Sequence, residues 1–553
     1  MPDRLDPSRL RRDFPILSSR VNGQPLVYLD NAATTQKPRA VIDAIGQYYK
    51  RYNANVHRAA HALSAQATGA FEKVRRDLAE WLGAASPDEL VWTRGTTEAI
   101  NLVAQSYLRP RLTRGDRILL MECSHHANIV PWQLVAESCG AEIDVLPCAD
   151  GEVDLELFER LLARRPRIAA LTHTSNALGT VFPVEKMCAL AHAAEVPTLL
   201  DGAQALPHFD IDLTRLGCDF YAFSGHKLFG PTGIGALWTR REILQQMPPW
   251  QGGGEMIEEV SFAGTRFAGL PFRFEAGTPD ISGVIGLGAA IDYLRARDRA
   301  ALEQHEQQLL RHALECCATL PGFRPLRAGG SRVSLVSFLI DGLHPQDIAL
   351  WLDQQGIAVR AGHHCAMPLM SALGIPGSVR ASFAFYNTLA EVEQMALALD
   401  RLIGSRHAQV SLPQAIAADQ AELERVHQAK GWNERYQALM ALGSSLPELP
   451  PEWRQDEYRL HGCESRVWLI TTLDDNGRMA CRADADGRIL RALLALLLES
   501  VNGLTPADVL ALDLPDRIAQ LDLQRHLSPS RGNGLNAMID ALLQFARDNA
   551  ADG

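Results

Sequence analysis

The chain has 553 residues, of which 47% are hydrophobic and 22% charged, and its formal net charge at pH 7 is -11. This composition is typical of a globular protein of two or three domains, and an acidic balance without a basic stripe excludes nucleic-acid-binding proteins. The first residues lack an apolar signal segment and no apolar run is long enough to cross a bilayer, so we expect a cytoplasmic protein with no membrane partner.

An N-terminal arm is predicted over residues 1–20 and a large domain over residues 21–280. From Leu26 to about Trp238, short apolar runs alternate with longer helical patterns. The runs predicted to be buried strands are Leu90–Trp92, Arg117–Met121, Glu142–Leu146, Ile168–Thr172, Thr198–Leu200 and Phe220–Phe223. This alternation predicts an α/β fold with a mostly parallel sheet and helices on both faces. The Gly- and Pro-rich stretch 239–280 is expected to form loops.

Two further domains are predicted. A small α+β domain is expected over residues 281–404, with strands over Val333–Ile340 and Arg380–Phe385 and a helix over Pro345–Gln355. A break in the pattern near Gly404 predicts a linker, residues 405–412. Residues 413–553 then form a separate α+β domain, with a hairpin predicted from Val467–Leu473 and Arg478–Ala483.

Polar residues follow several of the predicted strands. Lys227 ends the motif Ser224-Gly225-His226-Lys227, and a lysine at the mouth of a parallel sheet can form a Schiff base when its amine is partly deprotonated. Asp201 follows the preceding strand, where a carboxylate could pair with the pyridinium nitrogen of pyridoxal phosphate (PLP). Taken singly, the lysine is more typical of a surface lysine after a turn, and the aspartate could be a helix N-cap. The two together, in this chain order, favour the cofactor site.

Two more motifs add to this pattern. Thr93-Arg94-Gly95-Thr96-Thr97 leads from a strand into a helix, where backbone N–H groups and hydroxyls bind phosphate, although a simple helix cap looks the same. His125 follows the strand that ends at Met121, and its imidazole could stack on a flat ring. A single histidine there would more often be structural.

These motifs together resemble the fold-type I PLP enzymes of the aminotransferase class V group, and more closely the SUF-type cysteine desulfurases. Asp30-Asn31-Ala32-Ala33-Thr34-Thr35 and Asn53-Ala54-Asn55-Val56-His57-Arg58 also fit, so the resemblance covers about residues 13–405. It implies PLP as cofactor and L-cysteine as substrate. It implies that Lys227 forms the Schiff base, that Asp201 faces the pyridinium nitrogen and that Gln204 faces the ring oxygen. It also implies that His125 stacks on the ring and that the phosphate is held by Thr96, Ser224 and His226. It also implies that Thr278 contacts the phosphate from the partner subunit, in a homodimer.

Cys365 lies in the polar loop Arg360-Ala361-Gly362-His363-His364-Cys365-Ala366-Met367-Pro368. Its thiol could be held as thiolate beside a cation, although most cysteines are small buried hydrophobes. The His-His-Cys run raises a metal site, but adjacent residues rarely reach one ion together and no fourth ligand is apparent, so no metal is predicted. The resemblance implies that Cys365 is the nucleophile, Arg380 binds the substrate carboxylate and Asn176 assists it.

The C-terminal region contains Cys463, which follows Gly462 and has polar neighbours. Residues 412–550 resemble SufE-type sulfur acceptors, and His526-Leu527-Ser528-Pro529-Ser530-Arg531 also matches. This implies that Cys463 takes the persulfide sulfur from Cys365 and that Arg531 stabilises the persulfide or the docked state.

The resemblance implies the conversion of L-cysteine to L-alanine, with Lys227 moving the proton and iron–sulfur scaffold proteins receiving the sulfur. Two alternatives stay open. The enzyme could instead be a selenocysteine lyase or a cysteine sulfinate desulfinase, chemistry that can proceed without Cys365. The C-terminal domain could be a docking module that carries no sulfur.

Overall fold

A computed structural model of the protein describes residues 6–58, 60–148, 150–409, 424–426, 428–429, 432–460, 466–474, 476–519 and 529–550. The chain divides into two compact units. The first consists of Met1–Leu339 and Gln355–Leu399, and the second of Ile340–Gln354 and Asp400–Gly553.

The first unit is built on a seven-stranded sheet. Its strands are β1 (Leu90–Thr93), β2 (Arg117–Met121), β3 (Glu142–Leu146), β4 (Ala169–Thr172), β5 (Thr198–Asp201), β6 (Phe220–Ser224) and β7 (Gly235–Thr239). They lie in the order β1-β7-β6-β5-β4-β2-β3, and β7 alone runs antiparallel to its neighbours. The predicted mostly parallel sheet is therefore confirmed, whereas the sequence pattern missed β7.

Apolar side chains cover both faces of this sheet. Leu119 and Met121 of β2 belong to one buried cluster, and Ile118 and Leu120 belong to another. Because successive side chains of a strand point to opposite faces, the two clusters lie on the two sides of the sheet. This double burial explains why the strands appear in the sequence as continuous apolar runs.

Helices cover the two faces of the large sheet, and a short helix begins the described chain. The α-helices of this part of the chain are Pro7–Arg11, Arg39–Gln47, Ala62–Leu82, Thr96–Leu102, Val130–Cys139, Leu155–Leu162, Val184–Ala193, Leu213–Leu216, Arg241–Gln246, Ile281–Arg295, Arg299–Ala318, Met367–Ala372 and Leu389–Gln409. The helix Leu389–Gln409 continues through the predicted boundary at 404 and into the predicted linker. Residues 410–412 of that linker lie outside the described residues.

A smaller four-stranded sheet contains the loop of Cys365 at one edge. Its strands lie in the order Phe323–Pro325, Leu335–Ile340, Ser378–Ser382 and Arg360–Gly362. The strand predicted at Arg380–Phe385 begins and ends earlier, because the Ala384 amide donates to Asn387 Oδ1 and turns the chain. Three short two-stranded sheets are Arg20–Val21 with Gln24–Pro25, Val27–Tyr28 with Ile357–Ala358, and Ile257–Ser261 with Gly264–Phe267. The last of these, and the helix Arg241–Gln246, correct the prediction of loops over 239–280.

The second unit has its own apolar core around the helix Arg488–Val501, of which ten residues are buried. Its other helices are Pro345–Gln354, Trp432–Ser445, Pro506–Ala511, Leu514–Ala519 and Pro529–Asn549, and its hairpin pairs Val467–Ile470 with Arg482–Ala485. The second strand starts later than predicted because Asp474 Oδ1 accepts from the Arg478 amide and keeps that segment in the turn. No helix in the described parts of either unit is long and apolar enough to span a membrane.

Candidate active site

A cavity of about 370 Å³ lies at the carboxyl ends of the large sheet, where α/β proteins bind ligands. The predicted site residues that line it are Thr96, His125, Asn176, Asp201, Gln204, Ser224, His226, Lys227, Cys365 and Arg380. Thr278 lines a different cavity, beside Trp92 and Arg94. Cys463 lies outside the described residues.

Lys227 stands in a short turn that follows β6. The carbonyl of the preceding residue, His226, accepts hydrogen bonds from the Thr35 amide at 3.1 Å and from Lys37 Nζ at 2.8 Å, which fixes the backbone beside the lysine. Within the described residues, Lys227 Nζ has no hydrogen-bond partner. Burial lowers the pKa of Lys227 to about 8, while Asp201 acts in the opposite direction. About a tenth of the amine is therefore uncharged at pH 7, and this fraction increases with pH.

Asp201 ends β5 and is almost fully buried. Burial raises its pKa, and the nearby Lys227 ammonium opposes that rise. One oxygen, Oδ1, accepts from the Ala203 amide at 3.1 Å. Gln204 follows three residues later, and its Nε2 donates to the Ala32 carbonyl at 2.6 Å. This bond joins the end of β5 to the Asp30–Thr35 motif.

The ends of β1, β6 and β7 meet at a polar corner. Ser224 Oγ accepts from the Thr96 amide at 2.9 Å and shares a hydrogen bond with Thr96 Oγ1 at 2.8 Å. A Cβ on Gly235 would lie 2.4 Å from the Phe223 carbonyl oxygen and 2.6 Å from Gly95 Cα. Only glycine allows these strand ends to approach so closely, which places hydroxyls and a helix N-terminus at one wall of the cavity.

Two histidines follow β2. Burial, with a contribution from the nearby Lys227, lowers the pKa of His125 to about 3, so this ring is neutral at physiological pH. Its Nδ1 accepts from the Ala127 amide at 3.0 Å. The next residue, His126, contacts the cysteine loop: its amide donates to the Cys365 carbonyl at 2.8 Å, and its Nε2 accepts from the Met367 amide at 3.1 Å.

The loop that carries Cys365 has an unusual backbone. His364 and Cys365 have φ values of 53° and 55°, a region that side chains other than glycine rarely adopt. Asn176 Nδ2 donates to the His364 carbonyl at 2.6 Å, and His364 is itself buried beside Ser378 Oγ at 3.0 Å. Side-chain contacts from other segments therefore hold the thiol at the cavity.

Two arginines share one carboxylate at this end of the cavity. Asp30 accepts from Arg360 Nη2 at 3.0 Å and from Arg380 Nη2 at 3.1 Å. Arg380 is buried, its Nη1 donates to the Asn176 carbonyl, and its Nε has no hydrogen-bond partner within the described residues. A buried guanidinium with an unused N–H fits an arriving carboxylate. The roles of Arg360 and Asp30 were not predicted from the sequence, although both residues stand in the quoted motifs.

The family profile described as aminotransferase class-V matches residues 27–395. The chain belongs to the class-V aminotransferase family. A second profile, described as the SufE Fe-S metabolism associated domain, matches residues 420–546.

Close relatives refine this assignment. A probable cysteine desulfurase of Vibrio cholerae is 50% identical, covering 72% of this chain and 99% of the relative. A cysteine desulfurase of Pectobacterium atrosepticum is 49% identical over 71% of this chain and 97% of its own. The crystal structure of the cysteine desulfurase CsdA from Escherichia coli, in an S-sulfonic acid form, is 43% identical, covers 72% of this chain and 99% of its own, and superposes with a TM-score of 0.68. The protein is thus a cysteine desulfurase with a fused SufE domain, as the motifs predicted.

PLP is the cofactor typical of class-V aminotransferases. A C-DES variant with glycine linked to its PLP cofactor shares the fold, with a TM-score of 0.62 at 24% identity over 70% of this chain and 98% of its own. The residues present here fit the group: an amine without a hydrogen-bond partner at Lys227, a buried carboxylate at Asp201 and a hydroxyl corner at Thr96 and Ser224.

Proposed function

We propose that the enzyme converts L-cysteine to L-alanine at this cavity, with Cys365 as the sulfur acceptor and Cys463 as the next carrier. The observation that carries the proposal is that Lys227, Asp201, Arg380 and Cys365 line one cavity. When bound, PLP supplies an electron sink that lets the substrate Cα lose its proton. Lys227 would hold the cofactor covalently, Asp201 would pair with its ring nitrogen, His125 would stack on the ring, and Gln204 would face the ring oxygen. Thr96, Ser224 and His226 would hold its phosphate.

Arg380 binds and orients the substrate. Arg380 offers the unused Nε to the substrate carboxylate, while Asp30 and Asn176 keep its other nitrogens occupied. Asn176 therefore acts through Arg380 and the cysteine loop. A charge-assisted hydrogen bond from this nitrogen to the carboxylate fixes the substrate orientation as well as its affinity.

Lys227 is the group that moves the proton at Cα. With a pKa lowered to about 8, its amine can take and return a proton near neutral pH once the substrate has displaced it. The Cys365 thiolate then attacks the substrate sulfur: the C–S bond breaks, an S–S bond forms, and the carbon skeleton gains a proton. The balance is L-cysteine plus the Cys365 thiol giving L-alanine plus the Cys365 persulfide.

The fused SufE domain supports the second transfer. The Cys463 thiolate would attack the terminal sulfur of the Cys365 persulfide, which restores the Cys365 thiol and leaves a persulfide on Cys463. Joining donor and acceptor in one chain gives an effective concentration on the order of mM when the connection can span the sites. Iron–sulfur scaffold proteins would then take the sulfur from Cys463.

Mass spectrometry tests the relay. The purified PLP-bound protein is incubated with L-cysteine without reductant, and the persulfides are located on peptides after alkylation. We expect persulfide on Cys365 and Cys463 in the wild type, and on Cys365 alone after Cys463→Ser. Cys316→Ser, which removes another partly exposed cysteine, is the matched control and should leave both.

Other outcomes would redirect the proposal. Full alanine production by Cys365→Ala would favour a lyase or desulfinase that needs no cysteine nucleophile. Persulfide that never reaches Cys463 in the wild type would recast the C-terminal domain as a docking module.

A homodimer is part of the proposal. Thr278 lies outside the cavity that holds the other cofactor residues of its own chain, which supports the idea that it serves the cavity of a second subunit. Light scattering should give twice the chain mass. Thr278→Ala should weaken PLP binding about tenfold without changing that mass, and unchanged PLP affinity would remove the residue from the site.

A further inference from the structure

Three ligating side chains converge beside the cavity. A ring nitrogen of His126, a ring nitrogen of His363 and the Cys365 Sγ all lie within 4.8 Å of one another. All three residues are partly exposed, so an ion can reach them from solvent. The sequence raised a metal site at the run that contains His363 and Cys365 but rejected it for lack of further ligands. The third ligand, His126, comes from the turn after β2, more than two hundred positions earlier, so its position beside that loop could not be predicted from spacing.

We propose that His126, His363 and Cys365 form a binding site for a thiophilic divalent cation, Zn²⁺ above all, and that the bound ion reversibly blocks the desulfurase. The binding rests on the geometry of the cluster. The inhibition rests in addition on the proposed role of Cys365 as the sulfur acceptor.

The ligand set selects the ion. A thiolate and two imidazoles are ligands that Zn²⁺ prefers, whereas Mg²⁺ and Ca²⁺ need oxygen ligands. In the described part of the chain, the cluster includes no carboxylate. Three protein ligands leave the fourth tetrahedral position for water, as in zinc sites that exchange ligands.

The distances require a small adjustment. Zn–S and Zn–N bonds of about 2.3 and 2.0 Å separate tetrahedral ligand atoms by about 3.3 to 3.6 Å. Because the ligand atoms lie within 4.8 Å of one another, they need to close by at most about 1.5 Å. Rotation of partly exposed side chains supplies movements of this size without rearranging the fold.

Backbone amides already use part of the ligand set. His126 Nε2 accepts from the Met367 amide at 3.1 Å, and His363 Nδ1 accepts from the Cys365 amide at 3.0 Å. A neutral imidazole has a single nitrogen lone pair, so the ion competes with an amide for each ring. This competition favours a reversible inhibitory site over a permanently filled structural one.

Binding consumes the nucleophile. The ion replaces the thiol proton of Cys365, which leaves as H⁺, and the metal-bound sulfur is no longer available to attack the substrate. Removal of the ion by a chelator returns the free thiol, so the block leaves no covalent change.

Zinc titration of the PLP-bound protein against a chromophoric chelator, without L-cysteine, tests the site. We expect one Zn²⁺ per chain in a Cys463→Ser background, and affinity more than about tenfold weaker when His126→Ala, His363→Ala or Cys365→Ser is added. His363→Ala separates loss of a metal ligand from disturbance of the loop, because the contacts of His126 with the loop stay in place in this variant. His312→Ala is the matched control, since His312 Nε2 lies 3.6 Å from Cys316 Sγ on another part of the surface, and it should not change the affinity.

Co²⁺ gives a second readout, because tetrahedral coordination with a thiolate produces intense visible absorption that should disappear in the same three variants. Equal zinc affinity in the wild type and in both histidine variants would overturn the proposal. A Cys365→Ser protein that loses zinc yet still makes alanine would keep the metal site and instead overturn the role of Cys365 as nucleophile.

Discussion

Lys227 and Cys365 line the same cavity, but the backbone holds them in different ways. Lys227 follows a fully buried strand, and several donors converge on the carbonyl just before it. Cys365 lies in a loop with two consecutive left-handed residues that outside contacts keep in place. Such backbone conformations cost on the order of 1 to 3 kcal/mol each and persist only when their surroundings enforce them. The lysine turn thus has an ordinary backbone fixed by several hydrogen bonds to one carbonyl, whereas the cysteine loop has a strained backbone that depends on its outside contacts.

The largest effect on activity is expected at the lysine turn. Lys227→Ala removes both the covalent attachment and the proton carrier, so alanine production from L-cysteine should fall at least about 1000-fold. Lys186→Ala, on the exposed side of the helix Val184–Ala193, is the matched control and should keep full activity. If the Lys227→Ala enzyme made alanine within tenfold of the wild-type rate, the role of Lys227 as cofactor attachment and proton carrier would be wrong.

Asp30→Asn tests the carboxylate that Arg360 and Arg380 share. Arg380 would lose the negative charge beside its buried guanidinium, which should lower the free energy of unfolding by about 3 kcal/mol. Denaturant titration measures this, and L-alanine should restore part of the loss by supplying a carboxylate. Glu258→Gln breaks an exposed pair with Arg266 and should cost less than about 1 kcal/mol. Equal stability of the two variants would contradict the prediction.

Asn176→Ala tests the cysteine loop alone. Without the amide that donates to the His364 carbonyl, the loop should sample other conformations, and persulfide formation on Cys365 should slow about tenfold. The PLP absorbance should stay unchanged, because the Lys227 turn is held by other contacts. Asn101→Ala, which removes an exposed contact within one helix, serves as the control. A changed cofactor spectrum would show that the two regions are coupled.

The smallest effect is a shift in a pH profile. The Lys227 pKa, lowered to about 8 by burial, means that the free amine increases as pH rises through that value. Covalent capture of PLP by cofactor-free protein should therefore accelerate about tenfold per pH unit below pH 8 and level off above it. Asp201 raises the pKa of Lys227, so Asp201→Asn should move the midpoint to lower pH. Rates that do not vary between about pH 6 and 9 would rule this out.

The sequence revealed the parts of the site that depend on local pattern. Asp201 and Lys227 each follow a buried strand, and parallel strands place their carboxyl ends together, so their proximity could be predicted. The antiparallel strand β7 was missed because it begins at a glycine that looks like the end of a turn. The pair of Asp30 with Arg360 joins residues 330 positions apart, and the approach of His126 to Cys365 depends on the packing of two sheets. Neither leaves a periodic signal along the chain.

Gly235 makes the corner of β1, β6 and β7 a point of genetic fragility. A single-base change that gave this position even a methyl group would force apart Gly95 and Phe223, which flank Thr96 and Ser224. The atoms in the way belong to the backbone, so no side-chain rotation can relieve the contact and the strand ends themselves must move. Since Thr96 and Ser224 stand on the displaced strand ends, we expect the methyl group of Gly235→Ala to disturb the hydroxyl corner that would hold the cofactor phosphate.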